Sequence, residues 1–205
     1  MSSLKALPRP LADLTDELSS LPGLGPKSAL RAALTLLKWP KARAQNLGRA
    51  IHDLRENLCL CSLCAGLAES DPCPVCADPA RNPETLCVVS EWDSLLALEE
   101  TGLYKGRYLI LGGLISPLDG VEPGSLEIER FTERLQDGVI KEVILALGST
   151  LEAETTASYL KNLVDRANPH VRLTRLAQGI PLGAEVKYVD KETLKQSMVH
   201  RQDIS

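Results

Sequence analysis

Residues 61–76 read CSLCAGLAESDPCPVC: Cys61 pairs with Cys64 and Cys73 with Cys76 as two C-x2-C turns around an eight-residue loop. Each such turn aims two thiolates at one ion, about 2.3 Å from each sulfur for zinc. The intervening AGLAESDP is polar and turn-rich, as a loop between two metal-binding knuckles requires. The reading is a closed, structural Zn2+ site whose four cysteines leave no open position for catalysis. Two disulfides or four metal-free thiols compete with it. The opening MSSLKALPRPLADL holds prolines and acids and is not a secretory signal. A reducing, cytoplasmic setting follows as an expectation, and there persistent disulfides are rare.

Outward from the cysteines, charge divides unevenly. Residues 1–58 hold nine Lys or Arg against five Asp or Glu, a net of +4. The remaining fourteen basic and twenty-two acidic residues leave −8 beyond them, within a chain of net charge −4. That asymmetry points any nucleic-acid contact to the N-terminal end. No apolar run approaches the roughly 18 residues of a membrane span. The 44% hydrophobic content with only 3% aromatics predicts an aliphatic core.

Upstream, Leu11, Leu14, Leu18 and Leu21 recur at helical spacing, as do Leu30, Ala33, Leu34 and Leu37 in a second helix from Pro26. Between them, Leu21-Pro22-Gly23-Leu24-Gly25-Pro26 predicts a tight hairpin whose amides, at a helix N-terminus, can hold a phosphate. Lys27 and Arg31, four apart, add cations beside it, and such contacts are salt-sensitive. An ordinary αα-turn with solvated Lys and Arg is the plainer alternative. The stretch LPGLGPKSALRAA resembles the helix-hairpin-helix motif, which grips DNA backbone without reading sequence, so Gly23, Gly25, Lys27 and Arg31 are the DNA-binding candidates. A third helix, Lys41–Leu58, leads to the cysteines. His52 reads as a surface histidine, Cys59 as a free thiol near the knuckle and Cys87 as a buried small hydrophobe.

Downstream, strands are expected at Leu86–Ser90, Tyr108–Leu111, Glu142–Leu147 and Val171–Ala177. Helices are expected at 93–100, 125–135, 151–165 and 191–198. Alternating strands and helices imply a mainly parallel sheet covered on both faces. Function on such sheets sits at the carboxyl ends of strands, here Glu91 and Gly148–Glu154.

A strand ending in Glu, then a later strand ending in an acidic cluster, resembles the Toprim fold of topoisomerases, primases and related nucleases. Laid on ALGSTLEAETTA, that family's two aspartate positions fall on Gly148 and Thr150, while Glu91, Glu152 and Glu154 remain. Metal-assisted phosphoryl transfer needs a dense set of oxygen ligands, so the domain reads as non-catalytic. Tyr104, Tyr108, Tyr159 and Tyr188 read as packing residues, not nucleophiles.

The whole order is similar to the RecR family of bacterial recombination mediators. The resemblance rests on LPGLGPKSALRAA, the four cysteines with CADPARN, LCVVSEWDSLLALEETG, GRYLILGGLISPLDGV, EVILALGSTLEAETTA and TRLAQGIPLGAEVKYVDKETLKQSM. It implies an α+β multi-domain chain: helix-hairpin-helix region 1–58, four-cysteine zinc finger 59–80, Toprim domain 81–177, C-terminal loop and helix 178–205. It implies a DNA-binding adaptor, not an enzyme, acting with RecO and possibly RecF at single-stranded gaps to help load RecA. It further implies a ring-shaped homotetramer in the nucleoid-associated cytoplasm, with no membrane contact. The zinc site is expected to steady the phosphate contacts, and Glu152 and Glu154 to belong to a partner-facing surface. The competing readings are a Mg2+-dependent Toprim nuclease or primase accessory built on Glu91, Glu152 and Glu154, and an oligomeric zinc protein without DNA affinity. The Gly- and Pro-rich Gln178–Gly183 reads as an ordered loop resembling a Walker B-like element. No P-loop accompanies it, which argues against nucleotide hydrolysis. No element is expected from His200 onward.

Overall fold

The computed structural model describes residues 7–203; residues 1–6 of the opening stretch and the last two of the tail lie outside the described residues. The chain forms two compact units, Met1–Leu58 and Cys59–Ser205.

The first unit holds three helices, α1 (Arg9–Ser19), α2 (Pro26–Leu36) and α3 (Lys41–Glu56). Each follows or begins with a proline, whose missing N–H costs nothing in a first turn. Between α1 and α2 the fully buried residues are small: Thr15, Ala29 and Ala33. The Thr15 hydroxyl donates to the Leu11 carbonyl at 2.7 Å, so its polarity is satisfied inside the helix. The expected leucine faces are only half covered, with Leu21 50% and Leu37 69% exposed. Close helix approach over small side chains pushes the longer ones to the rim.

The second unit is built on four parallel strands: β3 (Asn82–Val89), β4 (Gly106–Ile110), β5 (Glu142–Ala146) and β6 (Arg172–Arg175), in the order β4-β3-β5-β6. Before them, β1 (Cys59–Leu60) and β2 (Leu67–Ala68) form a two-stranded antiparallel hairpin, and α4 (Pro74–Ala77) is a single turn. None of these three short elements is signalled by periodicity. The strand alternation sorts the core. Leu86, Val88, Leu109, Leu111, Val143 and Leu145 face α6 (Ile128–Gln136) and α7 (Leu151–Ala167) through Phe131, Leu135, Leu160 and Val164. Cys87, Val89, Tyr108 and Ile110 face the other way, against Leu95 of α5 (Trp92–Glu100). Burial on both faces explains why these strands read as continuous apolar runs. A last helix, α8 (Lys191–Val199), begins at Asp190, whose carboxylate caps the Thr193 N–H at 2.9 Å.

Differences from expectation are local. The strand expected at Val171–Ala177 shortens to Arg172–Arg175, and a 3-10 turn at Pro123–Ser125 precedes α6 instead of joining it. Tyr188 is not a packing residue. It stands 78% exposed on a 3-10 turn, with the Lys187 ammonium 4.8 Å from its ring centre. Gly106 is the one glycine among the described residues demanded by space, because a Cβ would stand 2.2 Å from both Thr85 Oγ1 and Tyr104 Oη.

A polar network, invisible to pattern reading, locks α5 to the sheet. Arg81 Nη1 donates to Glu99 Oε1 at 3.0 Å and to the Gly106 carbonyl at 3.1 Å, and its Nη2 pairs with Glu99 Oε2. Tyr108 Oη donates to Glu99 Oε1 at 2.8 Å. Burial raises the Glu99 carboxyl, but the hydrogen bonds from Arg81 and Tyr108 outweigh it and hold the group below its ordinary value. Its contribution is therefore fully present above the ordinary carboxylate pKa and is lost as pH falls through the lowered folded value. Glu99→Gln is expected to cost about 2 kcal/mol in denaturant unfolding at neutral pH, the penalty of an Arg left partly unpaired. The gap to the parent closes as the medium is acidified below pH about 4.

Candidate metal centre and nucleic-acid interface

The four cysteines converge. Cys61, Cys64, Cys73 and Cys76 are all buried, and their sulfurs lie within 4.8 Å of one another. Cys64 Sγ and Cys73 Sγ are 3.7 Å apart. Tetrahedral ligands about 2.3 Å from one ion stand roughly 3.8 Å from each other, so the donor set fits a dication such as zinc. Local geometry aims them. After Cys64 the chain turns through Ala65 at φ 59°, then Gly66. The N–H groups of Gly66, Cys73 and Cys76 donate to Cys64, Cys61 and Cys73 sulfur at 3.4, 3.4 and 3.3 Å. Asp71 Oδ1 accepts from Ser62 N at 2.8 Å and Ser62 Oγ at 2.9 Å, tying the second turn to the first.

Three of the thiols are shifted in opposite directions. The hydrogen bond with Cys76 lowers Cys64 to about 5, while burial pushes Cys73 up to about 11. Hydrogen bonding with Cys64 and burial drive Cys76 above the ordinary thiol range. Protons thus favour the thiolate at Cys64 and the thiol at Cys73 and Cys76, whereas a bound dication stabilises all four cysteines as thiolates. Cys59 is exposed, its Sγ 3.3 Å from the Ala68 carbonyl, and Cys87 is buried in the sheet. His52 is exposed on α3, as its sequence position predicts, beside Asp53 and Glu56.

The knuckle is part of the sheet unit. Ile110 N, on the outer side of edge strand β4, donates to the Cys64 carbonyl at 2.9 Å. Two arginines of α6 clasp the first C-x2-C turn. Arg130 Nη1 donates to the Cys61 carbonyl at 3.1 Å and to the Ser62 carbonyl, and Arg134 Nη1 donates to the Leu63 carbonyl at 2.8 Å. Burial lowers the Arg134 pKa, and the nearby Cys76 and Cys64 sulfurs oppose that shift. Sequence reading missed both arginines.

The hairpin of the first unit has an open backbone. Gly23 adopts φ 78°, which only glycine takes without strain, whereas Gly25 is extended at φ −71° and caps α2. At neither would a Cβ meet any atom within 4 Å among the described residues. The Gly25 carbonyl accepts from Ser28 and Ala29, and Leu24 N donates to the Leu21 carbonyl. Among the described residues the N–H groups of Gly23, Gly25 and Lys27 donate to no backbone carbonyl. Lys27 and Arg31 are exposed beside them and form no ion pair among the described residues.

The acidic positions lie at the carboxyl ends of adjacent strands β3 and β5 but do not assemble into a metal-sized cluster among the described residues. Glu91 is exposed at the start of α5. Gly148 turns at φ 83°, and Thr150 caps α7 by accepting from Ala153 N at 3.2 Å. Glu154 is engaged by Arg175, at 2.5 and 3.3 Å, and Glu152, also in the first turn of α7, lies two residues earlier and so on a different face of the helix.

Four family models match the chain: the RecR helix-hairpin-helix over residues 11–55, the RecR four-cysteine zinc finger domain over 58–78, the Toprim domain over 84–177 and the RecR C-terminal region over 179–202. The chain is 61% identical over 201 residues to the recombination protein RecR of Nitratidesulfovibrio vulgaris, covering 98% of this chain and 100% of that one. It is 58% identical to the RecR of Maridesulfovibrio salexigens, with the same coverage. Against the RecR of Acidothermus cellulolyticus it is 43% identical over 194 residues, 95% of this chain and 96% of the relative.

The arginine clasp carries a prediction. Arg134→Met is expected to weaken zinc binding about 10- to 100-fold in competition with a chromophoric chelator, the usual loss when a group orienting metal ligands is removed. Arg134→Lys, which keeps charge and one donor, falls between.

Proposed function

The chain belongs to the RecR family of recombination proteins, and on that premise we propose that it is a non-catalytic, DNA-binding recombination mediator. In this reading it acts with RecO, and with RecF where present, at single-stranded gaps to help load RecA. The observation that carries the DNA contact is the open hairpin. Gly23 and Gly25 leave amides uncovered at the head of α2, and Lys27 and Arg31 stand exposed beside them. Amides at a helix N-terminus with adjacent cations hold phosphate oxygens regardless of base sequence.

A structural zinc held by Cys61, Cys64, Cys73 and Cys76 fixes the edge of the sheet unit. The carboxylates support the non-catalytic reading: with Gly148 and Thr150 at the aspartate positions and Glu154 tied to Arg175, too few oxygen ligands remain to hold a reactive metal pair. Glu152 and Glu154 belong in this reading to an acidic partner surface. The homotetramer accords with an apolar groove of about 290 Å3 in the first unit, lined by Leu14, Leu18, Leu36, Leu37, Leu47 and Ile51 among others.

Lys27→Ala/Arg31→Ala is expected to lower the salt dependence of binding to gapped DNA by about two phosphate contacts, read as the slope of log affinity against log salt. Strands stay intact with Mg2+ throughout. Strand cleavage that needs Mg2+ and disappears in Glu91→Ala would overturn the adaptor reading in favour of a Toprim nuclease.

A further inference from the structure

Residues 18–52 contain no Asp or Glu and six cations: Lys27, Arg31, Lys38, Lys41, Arg43 and Arg49. The hairpin uses the first two. The next three cluster around a single aromatic, Trp39, in the turn between α2 and α3. Lys38 N donates to Thr35 O at 3.0 Å and Trp39 N to Leu36 O at 3.1 Å, so the chain keeps its helical sense past the end of α2. At helical spacing Lys27, Arg31 and Lys38 therefore fall on one line. Lys38 lies about 16 Å along the axis from Lys27. Pro40 then starts α3, and Arg43 comes back over the indole with its guanidinium carbon 3.7 Å from the ring centre. Lys38, Lys41 and Arg43 are exposed, Trp39 is half-buried, and none of the three cations makes an ion pair among the described residues.

Resting on the DNA-backbone reading of the hairpin, we propose that Trp39 and Arg43 form a base-stacking platform for an unpaired nucleic-acid strand, flanked by Lys38 and Lys41 on its phosphates. A strand gripped by phosphate at Gly23–Gly25 and following the Lys27–Arg31–Lys38 line arrives at this platform. Duplex DNA presents only phosphates there, whereas an unpaired strand also presents base faces. Those faces stack on an aromatic ring or a guanidinium plane without regard to sequence. The indole holds the Arg43 guanidinium over its face, so little side-chain freedom remains to be lost when a base adds to the stack. The missing acids remove the like-charge repulsion that an approaching strand would otherwise meet.

The test compares a fluorescent oligo-dT and a duplex of equal length, by anisotropy against salt, using the full-length protein. Trp39→Ala and Arg43→Ala are each expected to weaken oligo-dT binding on the order of tenfold while leaving duplex binding within about twofold. Trp39→Phe keeps a stacking face and retains most of the affinity. Arg43→Lys keeps the charge but not the flat face, so it loses single-strand affinity at an unchanged salt slope. Arg43 is exposed, so its variants fold even if Trp39→Ala does not, and far-UV circular dichroism checks both. Unchanged oligo-dT affinity in the Arg43 variants overturns the platform, as does an equal loss on duplex and single strand. A parent protein that binds neither DNA overturns the hairpin reading and the platform together. Normal duplex binding that needs Lys27 and Arg31, without any single-strand effect at Trp39 or Arg43, removes the platform alone.

Discussion

The second unit depends on how the edge of its sheet is closed. Strand β4 is one of the sheet's two edge strands, β6 being the other, and an uncovered edge is a row of unpaired backbone groups open to another chain. Here the Cys64 carbonyl takes the Ile110 N–H, so the first C-x2-C turn covers that edge. The turn is in turn held from α6, on the far layer, by Arg130 and Arg134. Four thiols within 4.8 Å of one another cannot all ionise without a counter-charge, as the opposite shifts of Cys64 and Cys73 illustrate. A dication on four thiolates leaves a net negative knuckle, and two arginines donating to its carbonyls balance that charge where it is partly desolvated. Metal ligation and sheet closure are thus one structural problem.

In the same unit, the segment that matches the Toprim domain brings carboxylates to one end of the sheet and gives the positions between them other duties. The parallel strands still deliver Glu91 and Glu154 to one end of the sheet. What is changed is the chemistry between them. Gly148 supplies a left-handed turn and Thr150 a helix cap, both structural duties, and Arg175 neutralises Glu154. A carboxylate bound to a guanidinium is a poor ligand for a hard cation, because binding the metal must first break a charge-assisted pair. The acidic excess outside residues 1–58 gives this unit a charge opposite in sign to that of the helical one.

The helical unit works by different means. Thr15, Ala29 and Ala33 bring α1 and α2 close, and the leucines displaced to the rim leave an apolar groove among the described residues. The unit's sequence is free of acids over the thirty-five residues 18–52. Along that stretch a polyanion meets backbone amides, cations and one aromatic without a carboxylate among them.

Much of this was legible in the sequence, because local spacing fixes local geometry. Two C-x2-C turns point to a metal site, the continuous apolar runs within LCVVS and EVILAL mark strands buried on both faces, and a Gly-x-Gly between helices predicts an open hairpin. Each signal lies within a few residues of what it specifies, and the matching of four family segments in order follows from the same short motifs. The tertiary structure alone decided which distant groups meet. Arg130 reaches Cys61 across 69 positions, Arg81 reaches Glu99 across 18, and Arg175 reaches Glu154 across 21. No periodicity encodes those pairings, since each depends on how the chain closes around the sheet. Within the helical unit, tertiary packing likewise decided that the leucines of α1 and α2 rim a groove instead of filling a core, because the closest approach of two helices goes to the smallest side chains available.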